Sequence, residues 1–140
     1  MARLRKLFWD SSTVNADAVT SSLASAGVDW REVAPGEWGL EADAGGWPLH
    51  VGIALREGLL RMQAEVLGPG AVDPHWLLHR NRRRPLVRFA ETQAGAVWVQ
   101  AELPLSAVSA DELDRVLGLL LEAADEARAS ARLRRDELQQ

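Results

Sequence analysis

The sequence contains no cysteine and no tyrosine. Without thiols there are no disulfides, no cysteine nucleophile and no thiolate metal site. Lysine is nearly absent as well: of sixteen basic residues, all but Lys6 are arginine. Histidine is confined to His50, His75 and His79, which restricts metal ligation and imidazole acid–base chemistry. No uncharged apolar run approaches the roughly 20 residues that span a bilayer. The opening MARLRKLFWDSS is basic, but its apolar stretch is shorter than a secretory core. Two glutamines follow DEL at 136–138, which is therefore no terminal retention signal. These features predict a cytoplasmic protein without membrane association. A basic excess is also missing, since the net charge is −4 and the pI about 5.4, which argues against a dedicated DNA-binding domain.

Catalytic signatures are equally scarce. No G-x-S-x-G occurs, and Gly68 and Gly70 flank Pro69 without the further glycine or lysine of a phosphate loop. The expectation is a protein that is not an enzyme, with no catalytic residue, no cofactor and no metal.

What is present reads as an ordered series of elements in one domain over residues 1–140, with 1–11 and 131–140 as loosely ordered ends. Ser12 and Thr13 cap a short helix carrying Val14, Val19, Leu23 and Ala26, stopped at Gly27. VDWREV follows as a short strand. Three segments then alternate with period two: Trp38, Leu40 and Ala42; Trp47, Leu49, Val51, Ile53 and Leu55; Leu60, Met62, Ala64 and Val66. AGG and REG between them are hairpin turns. Asp73 and Pro74 pair an N-cap with a first-turn proline, opening a helix that Pro85 stops near Arg84. LVRFAE and AVWVQAELP are strands joined by TQAG. Ser109 and Glu112 form a capping box, and apolar residues at 113, 117, 120, 124, 127 and 131 give the last helix its buried stripe. The core should include Trp38, Leu40, Leu49, Val51, Ile53, Met62, Val66, Phe89, Val97, Val99, Leu113, Leu117 and Leu120. Trp47, on the apolar phase of its strand, is expected there too.

The stretch DPHWLLHRNRRRPLVRFA concentrates the candidates for chemistry. His75 and His79 share a helix face, as metal-binding pairs do. The residues between them are Trp76, Leu77 and Leu78, with no glutamate, and the adjoining arginines repel a cation. A third ligand would have to be His50 or a distant carboxylate. Solvated histidines are the better reading. Arg80, Arg82, Arg83, Arg84 and Arg88, beside Trp76, form a basic patch able to meet phosphates and stack a base. Against it, cations at a helix C-terminus complement the dipole. Glu37, Glu41 and Asp43 lie on one strand phase and read as a solvated face rather than a hydrolytic pair.

The surplus is in tryptophan: Trp9, Trp30, Trp38, Trp47, Trp76 and Trp98. On AVWVQAEL, Val97, Val99, Ala101 and Leu103 share the helix-covered face, so Trp98 points the other way beside Gln100 and Glu102. Small or polar residues elsewhere on that second face (Gly39, Gly52, Ala54, Gln63, Ala90) leave Trp98 little to pack against. Tryptophan is enriched at binding hot spots, which marks Trp98, with Gln100, as a candidate contact for a client or for a second subunit. The equal alternative is an isolated aromatic covered by long side chains or by the amino-terminal segment.

The segments LLHRNRRRPLVRFAETQAGAVWVQAELPL and SADELDRVLGLLLEAADEA resemble the YbjN group of bacterial proteins and the related type III secretion chaperones. Residues 75–127 carry the likeness: a helix ending in Asn81, a strand around Phe89, a turn at Gly95, a strand ending in Leu103 and Pro104, and an amphipathic closing helix. The resemblance implies an α+β fold, ordered α-β-β-β-α-β-β-α, with an antiparallel sheet of about five strands and helices on one face. It further implies a homodimer that binds a protein client, chaperone-like or regulatory. The resemblance also implies that the helix at 73–84 and the strand at 86–91 lie near the twofold axis, with Trp76, Leu77, Leu78, Leu86 and Arg88 as the dimer interface. WLL at 76–78, apolar over most of a helical turn, is more than one sheet face covers. The alternative partner is nucleic acid, through Arg80 to Arg88.

Overall fold

The structure is a computed structural model and describes residues 16–139. Trp9, Val14 and the cap expected at Ser12 and Thr13 lie outside them. A helix over residues 16–26 (α1) stops at Gly27, whose φ of +67° suits a residue without Cβ. β1 (Asp29–Ala34), β2 (Glu37–Ala44), β3 (Trp47–Arg56) and β4 (Leu59–Leu67) follow. Then come α2 (Pro74–Asn81), β5 (Val87–Glu91), β6 (Val97–Pro104), a 3₁₀ turn (Leu105–Ala107) and α3 (Ala110–Leu138). The strands form one six-stranded sheet in the order β1-β2-β3-β4-β6-β5, antiparallel throughout. The architecture is α+β as expected, with one strand more than the five anticipated. The sixth is the mostly exposed edge strand β1, read from the sequence as VDWREV but not counted in the order that the resemblance implies.

Local chemistry explains the turns. Ala44 pairs with Trp47 across Gly45 and Gly46, and Arg56 pairs with Leu59 across Glu57 and Gly58. All four turn residues have positive φ, the type I′ geometry whose twist matches the strands. The capping box is half made: Ser109 accepts from the Glu112 N–H at 3.1 Å.

The alternating strand residues meet α1, α2 and α3 on one face. Every residue expected in the core except Trp47 is at most 6% exposed. Along α3 the stripe changes character. Leu113, Val116, Leu117 and Leu120 fill the first half, while Ala123, Ala124, Ala127 and Ala131 line the second. Alanines let the helix approach the β2–β3 turn, where a Cβ on Gly45 would come within 3.0 Å of the Arg128 Cβ.

Three local expectations require correction. α2 ends at Asn81 with Arg82 as C-cap, short of the Arg84 anticipated from Pro85, because the Asn81 side chain turns to the backbone of β5. Trp47 shares the phase of Leu49 yet is 65% exposed. It opens β3 opposite Ala44, which is buried at 3%, so its phase is right although its large side chain stands in open space beside α3. From residue 131, where a loose end was anticipated, α3 continues as helix to Leu138.

Candidate functional site

The α2–β5 stretch is built around Asn81. Its Oδ1 accepts from the Phe89 N–H at 2.7 Å and its Nδ2 donates to the Phe89 carbonyl at 3.0 Å, so one side chain satisfies both backbone groups of a strand residue. At the other end of α2, the Asp73 carboxylate accepts from the His75 N–H at 2.9 Å. Between these anchors the Trp76 ring lies 5.9 Å from that of Phe89, with the Arg80 guanidinium 5.3 Å above it.

The arginine run divides here. Arg80 Nε meets Glu126 of α3 at 2.8 Å, and Arg84 pairs with Glu126 and, at 4.0 Å, with Glu122. Arg82, Arg83 and Arg88 are exposed. The expected interface residues also separate. Leu77 is buried at 5% within its own subunit, whereas Leu78 is 65% exposed. Trp76 and Leu86 are half-buried. Leu86 holds φ at +61°, a left-handed conformation that branched side chains avoid.

The sheet face away from the helices carries Trp98 and Gln100, both half-buried. Register places Arg31, Gly39, Gly52, Gln63, Gln100 and Arg88 in one row across all six strands. Trp98 occupies the neighbouring row between Glu65 and Ala90. The paired glycines, Gly39 and Gly52, open a groove of about 650 Å³ bordered by Asp29, Arg31, Val33, Glu41 and His50. The face is thus a shallow polar surface with an indole at one side.

A third cluster has no counterpart in the sequence reading. Arg128 donates from Nε to the Val66 carbonyl at 3.1 Å, and from Nη1 to the carbonyls of Ala44, Trp47 and Pro48 at 2.9, 3.0 and 3.2 Å. Arg132 donates to the Gly45 carbonyl at 2.8 Å, and Asp125 accepts from the Gly45 N–H at 2.7 Å. Burial draws the Arg128 guanidinium below its ordinary pKa. The signal was the spacing: Asp125, Arg128 and Arg132 are three and four residues apart, and so share one face of a helix.

The remaining candidates are scattered. His75 and His79 are exposed on α2 and His50 is exposed on β3. Among the described residues, no group of three or more histidine, aspartate or glutamate side chains is placed to hold a metal ion. Glu37 is ion-paired with Arg56, while Glu41 and Asp43 are exposed on β2. None of the described helices is long and apolar enough to cross a membrane.

Residues 15–132 match the profile of the YbjN family, described as "Putative bacterial sensory transduction regulator"; the chain belongs to that family. Over 50 residues it is 46% identical to uncharacterized proteins of Mycobacterium tuberculosis and Mycobacterium bovis. The match takes in 36% of this chain and 27% of each relative, so the chain spans about a quarter of their length. Three solved structures share the fold. A chain of the HopA1–SchA chaperone–effector complex superposes with a TM-score of 0.66 at 12% identity, covering 85% of this chain and 96% of that one. A chain of the heterodimeric ExoU–SpcU complex from the type III secretion system of Pseudomonas aeruginosa gives 0.58 at 18% identity, covering 79% and 94%. The third is the Yersinia pestis type III secretion chaperone SycH in complex with a fragment of YscM2, at 0.56 and 16% identity, covering 79% and 96%. At such identities the likeness is one of fold.

Proposed function

We propose that this chain is a non-enzymatic, homodimeric protein-binding module of the cytoplasm, chaperone-like or regulatory, which captures a protein client. The observation that carries the proposal is the one-sided sheet. The three α-helices of the described residues lie on one face, and the other presents a half-buried tryptophan among small and polar neighbours. An indole set on such a surface has area to give to a partner, and tryptophan anchors recur at interface centres. Similarity of fold to chaperones seen in complex with other proteins supports the same reading. Trp98 and Gln100 are the proposed client contacts.

The proposed twofold interface lies on α2 and β5. Leu78, Trp76 and Leu86 offer apolar surface that a second copy covers, Arg88 lies at its rim, and Leu77 holds α2 in place from beneath. Nucleic acid is the weaker partner, because Arg80 and Arg84 are paired with carboxylates of α3.

The test begins with a partner captured by the tagged full-length chain in its native cell, identified by mass spectrometry and then purified. Trp98→Ala should leave folding stability nearly unchanged and weaken that partner's affinity by about 2 kcal/mol or more. Leu78→Asp should convert a dimer into a monomer by light scattering. The reading fails if Trp98→Ala loses several kcal/mol of stability while binding survives, or if the wild-type chain is monomeric at micromolar concentration. Tight, steeply salt-dependent binding to an oligonucleotide would favour the nucleic-acid alternative instead.

A further inference from the structure

Between the β2–β3 turn and the last turns of α3 runs an open groove of about 470 Å³. Trp47, Val66 and Leu138 give it apolar walls, and Arg128, Arg132, Arg134 and Arg135 also line it. Two features separate it from an ordinary surface crevice. Trp47 and Leu138 are 65% and 78% exposed, so two large apolar side chains face the same open space. Among the described residues, none of the four arginines has a carboxylate within ion-pair distance. Arg128 and Arg132 donate to backbone carbonyls, which satisfy hydrogen bonds without forming an ion pair, and Asp125 is the acid held at the same turn. Four arginines without ion pairs thus gather around an apolar floor in a chain of net charge −4.

We infer that this groove receives an acidic, amphipathic segment of a partner protein. An aliphatic or aromatic side chain of the segment lies against Trp47 and Leu138, while flanking aspartates or glutamates meet Arg134 and Arg135, whose planar forks suit carboxylates. Arg128 and Arg132, fixed by the turn, add field without having to be ordered on binding. Charge decides against this chain's own amino-terminal segment as occupant, because MARLRKLFWDSS carries Arg3, Arg5 and Lys6 against Asp10 alone. The apolar floor favours a peptide over a phosphate backbone. The inference rests on the protein-binding reading and places a second contact region on the helix side, across the sheet from the face that carries Trp98.

The test is fluorescence anisotropy with the full-length chain and a short fluorescein-labelled peptide in which glutamates and aspartates flank one Leu-Phe pair. Controls are the same peptide with lysines for its acids, oligoglutamate, and oligothymidylate. The wild-type chain should bind the acidic, apolar peptide and not its lysine form. The double variant Arg134→Glu/Arg135→Glu and the single variant Trp47→Ala should each weaken binding at least about tenfold. Both variants alter exposed side chains, and unchanged thermal unfolding would confirm that they remain folded. Four results overturn the inference: no binding by the wild type, equal binding by either folded variant, equal binding of oligoglutamate or oligothymidylate, or a change in molar mass in the double variant, which would make a second copy the occupant. If the peptide fails while a partner is still captured through Trp98, the groove falls and the protein-binding reading stands. If peptide binding survives and Trp98→Ala leaves capture intact, the proposed client face falls and the groove stands.

Discussion

The arginines at the end of α2 and just after it, and those in the second half of α3, lie on the same side of the sheet and differ in their surroundings. Arg80 and Arg84 converge on Glu126, a carboxylate of α3. Arg128 and Arg132 converge on carbonyls of the β2–β3 turn and the end of β4. A carboxylate neutralises a guanidinium, whereas a carbonyl satisfies its donors and leaves the charge. The denser run in the sequence is therefore partly neutralised inside the fold, with Arg82, Arg83 and Arg88 left exposed, whereas none of the four arginines at the end of α3 has an ion-pair partner among the described residues. The number of arginines in a segment says little about how much charge it offers a partner.

The largest effect should come from removing the side chain that fastens the turn. Arg128→Ala leaves the carbonyls of Ala44, Trp47, Pro48 and Val66 to find water, and should cost about 2–3 kcal/mol in urea unfolding. Arg128→Lys should recover only part, since an ammonium cannot reproduce the guanidinium's spread of donors. A loss no greater than that of a routine surface substitution would show that water replaces these bonds freely. Glu126→Gln removes the charge that Arg80 and Arg84 share. Arg84 is largely buried, with 13% of its side chain exposed, so this change should cost about 1–2 kcal/mol and the loss should shrink in high salt. Arg80→Ala should cost less, about 0.5–1 kcal/mol, because a partly exposed pair and a cation–π contact are lost together. Arg134→Ser with Arg135→Ser should leave the unfolding midpoint where it is, since neither side chain has an ion-pair partner among the described residues. A clear drop in that midpoint would place these two arginines with the fold rather than with a ligand.

Much of the scaffold was legible in the sequence because it follows local rules. Period-two alternation named the buried residues of β2, β3, β4 and β6, and the three-and-four spacing named those of α3. Gly-containing turns marked both hairpins. The candidate site was less legible. Leu77 and Leu78 are adjacent and equally apolar, yet one is 5% and the other 65% exposed, a difference set by where α2 docks. Asn81 reads as an interruption in a basic run, and its double bond to Phe89 depends on a strand eight residues on. Trp38 and Trp47 both stand on the apolar phase of their strands. The first is 2% exposed and the second 65%, because alternation specifies a side of the sheet and not how far the helices extend over it.

By itself the sequence determined which segments extend, which coil and which way each side chain faces, for those outcomes depend on steric and hydrophobic preferences acting over a few neighbouring residues. Only the tertiary structure decided which charges are spent and which remain. The pairing of Arg84 with Glu126 joins residues 42 apart, and the bond from Arg128 to Ala44 joins residues 84 apart. Coulombic attraction and hydrogen bonding act over a few ångströms and carry no record of sequence separation, so the balance between a neutralised arginine and an available one exists only once the sheet and α3 have met.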